Sequence, residues 1–134
     1  MAGLAAAFGS GAMTNSIAEI EEAGCIFVIG SNTTACHPII ARRIFRAKEK
    51  GTKLIVADPR NIQLSRFADV AVNHRLGSDV ALLNGMMHII IQNGWHAKDY
   101  IAERTEDFDA LAKVVDVYTP DKVQAITGVD RKDL

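Results

Sequence analysis

The sequence predicts an α/β fold, a doubly wound parallel sheet of three main strands flanked by helices, with a helical C-terminal part. Two short, continuous apolar runs, 25–30 and 53–57, are bounded by glycines or by Asp-Pro, as buried parallel strands are. Segments with helical spacing separate them. The order strand, helix, strand, short helix, strand, helix is the order that right-handed crossovers demand.

Taken in order, residues 1–13 form a Gly/Ala-rich segment with no helical or strand period, expected to be irregular. Thr14, Asn15 and Ser16 then offer caps, and Glu19, Glu21 and Glu22 suit the first turns of a helix over 15–23, closed by Gly24. Cys25-Ile26-Phe27-Val28-Ile29-Gly30 reads as a strand covered on both faces. A polar loop, Ser31 to Cys36, follows. Pro38 opens a helix over 38–50, with Ile39, Ile40, Arg43, Ile44 and Ala47 at spacings of three and four and Gly51 as its stop. Residues 53–57 make the second strand and end in Asp58-Pro59-Arg60. A turn or two of helix over 63–68 leads to a weaker strand, 71–76, whose alternation suits a sheet edge. Gly77-Ser78-Asp79 starts a helix over 79–93, closed by Gly94. From Trp95 onward, over 95–134, the signals are helical only: 97–104, 107–117, 120–127 behind the Thr119-Pro120 cap, and a last start at 130–134.

The 134 residues are one domain's worth of chain, with 49% hydrophobic and 23% charged residues, a composition that excludes disorder. Fifteen Lys and Arg against sixteen Asp and Glu leave a formal charge of -1, so no basic excess exists to hold nucleic acid. The longest apolar run, Val80 to Ile91, is about twelve residues against the roughly twenty a bilayer span needs. Cys25 and Cys36 are not in CxxC spacing and no HExxH occurs, so no metal site is expected within the chain. The two cysteines read as free thiols of a reducing cytoplasm.

Sheets of this Rossmann-like kind bind ligands beyond the carboxyl ends of their strands. Three loops leave those ends. The first, Gly30 to His37, has one glycine and not GxGxxG, which argues against an ordinary NAD or FAD site. Asn32, Thr33 and Thr34 still place donors before a helix start, where they either meet an anion or cap the helix. His37 reads as a cap-side residue. In the second loop, Asp58 can accept from ribose hydroxyls or form a turn ion pair with Arg60. In the third, Asp79 either caps its helix or presents a carboxylate that matches the N1–H and N2–H2 donors of guanine. His74, His88 and His96 read as core or surface residues.

Gly9-Ser10-Gly11-Ala12-Met13-Thr14-Asn15, Val28-Ile29-Gly30-Ser31-Asn32 with His37-Pro38, Asp58-Pro59-Arg60 and Gly77-Ser78-Asp79-Val80-Ala81-Leu82-Leu83-Asn84 together resemble the molybdopterin oxidoreductases, most of all the catalytic alpha subunits of formate dehydrogenases. Tyr118-Thr119-Pro120 and Ile126-Thr127-Gly128-Val129 extend the likeness. The resemblance implies that residues 1–134 are one cofactor-binding domain, a fragment of a larger subunit that carries two molybdopterin guanine dinucleotides with Mo or W and a 4Fe-4S cluster elsewhere. That parent would be cytoplasmic or periplasmic and would work with electron-transfer subunits. The resemblance places Gly30, Ser31 and Asn32 at the diphosphate and ribose, with His37 nearby. Asp58 takes the ribose in a pocket shaped by Pro59 and Arg60. Gly77, Ser78 and Asp79 form the guanine loop, in which Ser78 and Asp79 read the base. It gives this chain no catalytic residue and no metal ligand. The alternatives are the nucleotide-like middle domain of a thiamine-diphosphate enzyme and another molybdopterin enzyme such as a nitrate reductase. On this reading the purified chain turns over no formate, and a dye-reduction assay on metal-analysed protein checks it.

Overall fold

The computed structural model describes residues 2–13 and 15–134. Met1, in the segment expected to be irregular, and Thr14, one of the expected caps, lie outside the described residues. The first element is a helix, α1 (Ala2–Phe8), which corrects the expectation of irregular chain over 1–13. Four alanines and a leucine in seven residues carry strong helix propensity, and that local preference outweighs the cost of Gly3. The helix buries no residue, which is why no amphipathic period announces it.

Strands β1 (Cys25–Ile29), β2 (Lys53–Ala57) and β3 (Val70–Val72) form one parallel sheet in the order β1-β2-β3. The third strand is an edge, as expected, but it starts one residue earlier than 71 and ends at Val72. Between β1 and β2 stand a single-turn helix, α2 (Thr33–Cys36), which lay in the expected loop, and α3 (Pro38–Glu49). The segment expected as a helix over 15–23 is a 3-10 helix, Ile17–Glu22, and a second 3-10 helix, Gln63–Phe67, joins β2 to β3. The chain then runs through α4 (Asp79–Gln92), α5 (Lys98–Arg104), α6 (Phe108–Asp116) and α7 (Pro120–Thr127) to a 3-10 turn at Arg131–Asp133. No helix among the described residues is long and apolar enough to cross a membrane.

Two apolar clusters clamp the sheet. Val28, Leu54 and Val56 meet Ile44 of α3 and Ile62 and Leu64 of the β2–β3 connection. Ala57 and Val72 meet Leu82 of α4 and Val129. The second cluster covers the sheet only toward its carboxyl end. Phe27 therefore keeps 37% of its surface exposed and Val70 keeps 40%, which corrects the expectation that β1 is covered on both faces.

Carboxylates fasten α3 to its surroundings. Glu21 pairs with Arg43, Arg46 and Lys50, and Asp69 pairs with Lys48 and Lys53 while accepting from the Leu54 N–H at 2.9 Å. The hydrogen bond from Arg43, then that from Lys50, holds the Glu21 carboxyl down at about 2. Lys48 and the Leu54 amide hold Asp69 at about 2 as well. The C-terminal helices lean on α4 at Gly85, where an added Cβ would stand 2.6 Å from Val123 Cγ2, inside a fully buried contact.

Gly85→Ala forces α7 off α4 and lowers stability by about 1–3 kcal/mol, read from the urea midpoint. Unfolded carboxylates titrate near 4, so the stabilisation from Glu21 and Asp69 is complete above about pH 5 and is lost as pH falls toward about 2. Urea midpoints measured across that range should fall steeply in the wild type and less steeply in Asp69→Asn.

Candidate functional site

The parallel register aligns Ile29 with Ala57 and Ala57 with Val72, so all three strands end at one level. The loops that follow are knotted together by main-chain bonds. The Gly30 N–H donates to the Ala57 carbonyl at 2.9 Å and the Asp58 N–H to the Val72 carbonyl at 3.2 Å. Asn73 Nδ2 donates to the carbonyl oxygens of Asp58, at 2.8 Å, and Arg60, at 3.1 Å. The structure thus brings the three sequence-predicted loops to one open edge of the sheet.

In the first loop Gly30 turns with φ +61°, a left-handed conformation that favours glycine. Ser31 Oγ lies 3.2 Å from Thr33 Oγ1, and Thr34 Oγ1 donates to Asn32 Oδ1 at 3.1 Å, so the side-chain hydroxyls fold the loop onto itself. Asn32 stands at the start of α2 and His37 at the junction of α2 with α3; neither caps with its side chain, and His37 is exposed.

In the second loop Asp58 is 1% exposed. Its Oδ1 accepts from the Arg60 main-chain N–H at 2.8 Å and from Nε at 2.9 Å, while Oδ2 accepts from Nη2 at 3.1 Å. These Arg60 bonds hold the Asp58 carboxyl below the usual range, against the opposing effect of burial. The turn ion pair is the arrangement present: Asp58 points at Arg60, and the guanidinium is the group that faces outward beside the half-buried Pro59.

In the third loop Gly77 turns with φ +76°. Ser78 is buried, and its Oγ donates to the Arg75 carbonyl at 2.6 Å, so the hydroxyl proton closes the turn. Arg75 pins the loop to the far end of α7: its N–H donates to Thr127 O at 2.8 Å and Nη1 to Ala125 O at 2.6 Å. Asp79 is the first residue of α4 and keeps 48% of its side chain exposed. Its Oδ1 lies 3.0 Å from His74 Nε2. That hydrogen bond is the main cause holding the Asp79 carboxyl below the usual range, and nearby Asp58 acts weakly in the opposite direction.

Sequence reasoning missed His74, which is fully buried against Asp79, and Arg75 and Asn73, which fix the loop. The sequence offered only the alternation of the expected strand over 71–76; the structure buries Val72 and His74 and exposes Asn73 between them, although β3 itself ends at Val72. A cavity of about 730 Å³ lies elsewhere, between α5 and α6, lined by His96, Thr105, Asp107 and Phe108 and by none of the loop residues. No group of three His, Cys, Asp or Glu among the described residues could hold a metal ion.

The shelf offers an outward guanidinium, a half-exposed ionised carboxylate and a glycine-turned polar loop on one sheet edge, and residues 3–128 match the family described as molybdopterin oxidoreductase. The chain belongs to the molybdopterin oxidoreductase family. It is 48% identical over 130 residues to the F420-dependent formate dehydrogenase subunit alpha of Methanocaldococcus jannaschii, covering 97% of this chain and 19% of that protein. Against formate dehydrogenase H of Escherichia coli it is 43% identical over 134 residues, covering 100% of this chain and 19% of the other. The chain therefore spans about a fifth of these relatives. Acetylene hydratase from Pelobacter acetylenicus superposes with a TM-score of 0.78 at 28% identity, over 87% of this chain and 18% of the hydratase. Membership in this molybdopterin family sets aside the thiamine-diphosphate alternative.

The Asp58–Arg60 pair yields its own prediction. Arg60→Ala strips two of the three donors from a buried carboxylate and lowers stability by about 1–3 kcal/mol. Because the Asp58 carboxyl is then held down only by the main-chain N–H of residue 60, the acid limb of the stability profile becomes shallower; denaturant titrations between about pH 3 and 7 measure both effects.

Proposed function

We propose that this chain is the part of a molybdenum or tungsten formate dehydrogenase alpha subunit that holds the guanosine diphosphate end of molybdopterin guanine dinucleotide. The observation that carries the proposal is Asp79. It is a half-exposed carboxylate on the shelf, held by His74 on Oδ1 and below the usual carboxylate range. An ionised carboxylate is acceptor-only, and the N1–H and N2–H2 edge of guanine presents two adjacent donors. Adenine presents an acceptor at N1 and no amino group at C2, so it leaves the carboxylate unpaired.

The other residues take supporting places. Gly30, Ser31 and Asn32 offer the close main-chain approach and the polar groups that a diphosphate and its ribose need. His37 is exposed beside them. Pro59 and Arg60 border the ribose, and Asp58 acts through Arg60, whose guanidinium it fixes. Gly77 and Ser78 shape the turn that delivers Asp79. When bound, the cofactor would supply the two-electron redox chemistry by which the parent subunit would oxidise formate to carbon dioxide and a proton. This chain's share is binding and orientation. Its partners are the remaining domains of the subunit and the electron-transfer subunits.

Losing hydrogen bonds to a charged group costs on the order of 1.5–3 kcal/mol, which is about a ten- to hundredfold preference for guanine over adenine nucleotide. Calorimetric titration with GDP and ADP reads this ratio even where absolute affinity is weak. Asp79→Ala should collapse the ratio, and Arg60→Ala should weaken both nucleotides alike. Equal GDP and ADP affinities in the wild type would reject Asp79 as the guanine reader.

A further inference from the structure

We infer that His74 is the positioning residue that sets base selectivity on the shelf, by holding the Asp79 carboxylate in the orientation that accepts from guanine. The inference rests on the reading of Asp79 given above. The His74 side chain is 0% exposed, whereas the Asp79 side chain is 48% exposed. The pair therefore joins an inner anchor to an outer acceptor. The bond from His74 Nε2 to Asp79 Oδ1, at 3.0 Å, spans the Arg75–Ser78 turn, which is itself closed by Ser78 and tied to α7 by Arg75.

The other ring nitrogen decides the direction of that bond. His74 Nδ1 is buried and has no hydrogen-bond partner. A protonated Nδ1 would bury a bare donor, so the neutral ring carries its proton on Nε2 and donates it to Asp79. The charged groups that face the ring are Asp79 and, at longer range, Asp58. A carboxylate has about four acceptor sites. His74 takes one on Oδ1 and the Asp79 main-chain N–H takes another, which leaves about two for parallel donors from one base edge. Without His74 the carboxylate at the start of α4 loses the stronger of its two holds and turns more freely toward water.

His74→Leu removes the donor with an apolar side chain of similar size, and His74→Gln puts an amide N–H near the place of Nε2. In GDP and ADP titrations His74→Leu should cut the guanine preference by about three- to tenfold with little change in ADP affinity, the worth of one hydrogen bond. His74→Gln should restore most of it. A merely structural role would weaken both nucleotides together and would not be rescued. As a ligand-free readout, nitrogen-15 NMR of the wild-type imidazole should show the Nε2–H tautomer, with its exchange-protected proton lost in Asp79→Ala. An unchanged ratio in His74→Leu, equal weakening of GDP and ADP, or an Nδ1–H tautomer overturns the inference. If His74→Leu does not fold, the Gln variant and the tautomer decide. A wild-type chain with no guanine preference removes the Asp79 reading itself, and is distinguished because it is seen before any His74 variant is made.

Discussion

The level ending of three parallel strands is the constraint on which the rest of this structure depends. Parallel pairing fixes each strand against its neighbour without freedom to slide, because a one-residue slip would turn every apolar side chain to the wrong face. With Ile29, Ala57 and Val72 in register, the residues that follow each strand are delivered to one edge. Residues that are 49 positions apart in sequence, Gly30 and Asp79, come to share one shelf without any direct bond between them. The same register explains the main-chain bonds from Gly30 to Ala57 and from Asp58 to Val72, which extend the ladder by one rung past the strands.

Past that last rung the polar groups must be satisfied individually, and the cost of failing explains the local design. Asp58 is buried at the end of the central strand, where an unpaired carboxylate would be strongly unfavourable. Arg60 supplies three donors from two residues away, and Asn73 ties the same turn to the third loop. Buried polar groups with complete partners specify one arrangement, because any alternative leaves a donor or acceptor bare. The rigidity of the second and third loops thus has an identifiable source. The first loop differs: its bonds run among its own hydroxyls and amide, and it joins the others mainly through Gly30.

Much of this was legible in the sequence. Short apolar runs ended by Gly or Asp-Pro located β1 and β2 within one residue, and the Thr119-Pro120 cap located α7 to the residue, because caps and breakers are local signals. What was not legible is of two kinds. Helix α1 is set by alanine propensity without an apolar face, so a search for periodicity passes over it. The open face of β1 is a tertiary matter, since Phe27 looks the same in sequence whether or not a helix covers it. At the shelf, residue types announced Asp58 and Asp79 but not their partners. Whether Asp58 meets a ribose or Arg60 depends on a turn conformation, and whether His74 lies inside or outside depends on where β3 ends.

The division of labour between family and site follows from the same facts. A formate dehydrogenase subunit is alike in sequence along nearly the whole chain and an acetylene hydratase superposes on its fold, although their names denote an oxidation and a hydration. A scaffold common to both must serve something other than the reacting bond. The shelf meets that requirement physically. On the proposed reading it has an acceptor for one base edge, a fixed cation and a polar loop, and all three would orient a ligand. Discrimination at such a site comes from what is left unpaired when the wrong base sits there, more than from what is gained with the right one. The cost of the wrong base is high only if the carboxylate cannot turn away to water. A half-exposed Asp79 would ordinarily have that freedom. The buried imidazole behind it is bonded to Asp79 alone, and on the inference drawn above it is this bond that would limit that freedom and make a surface carboxylate selective.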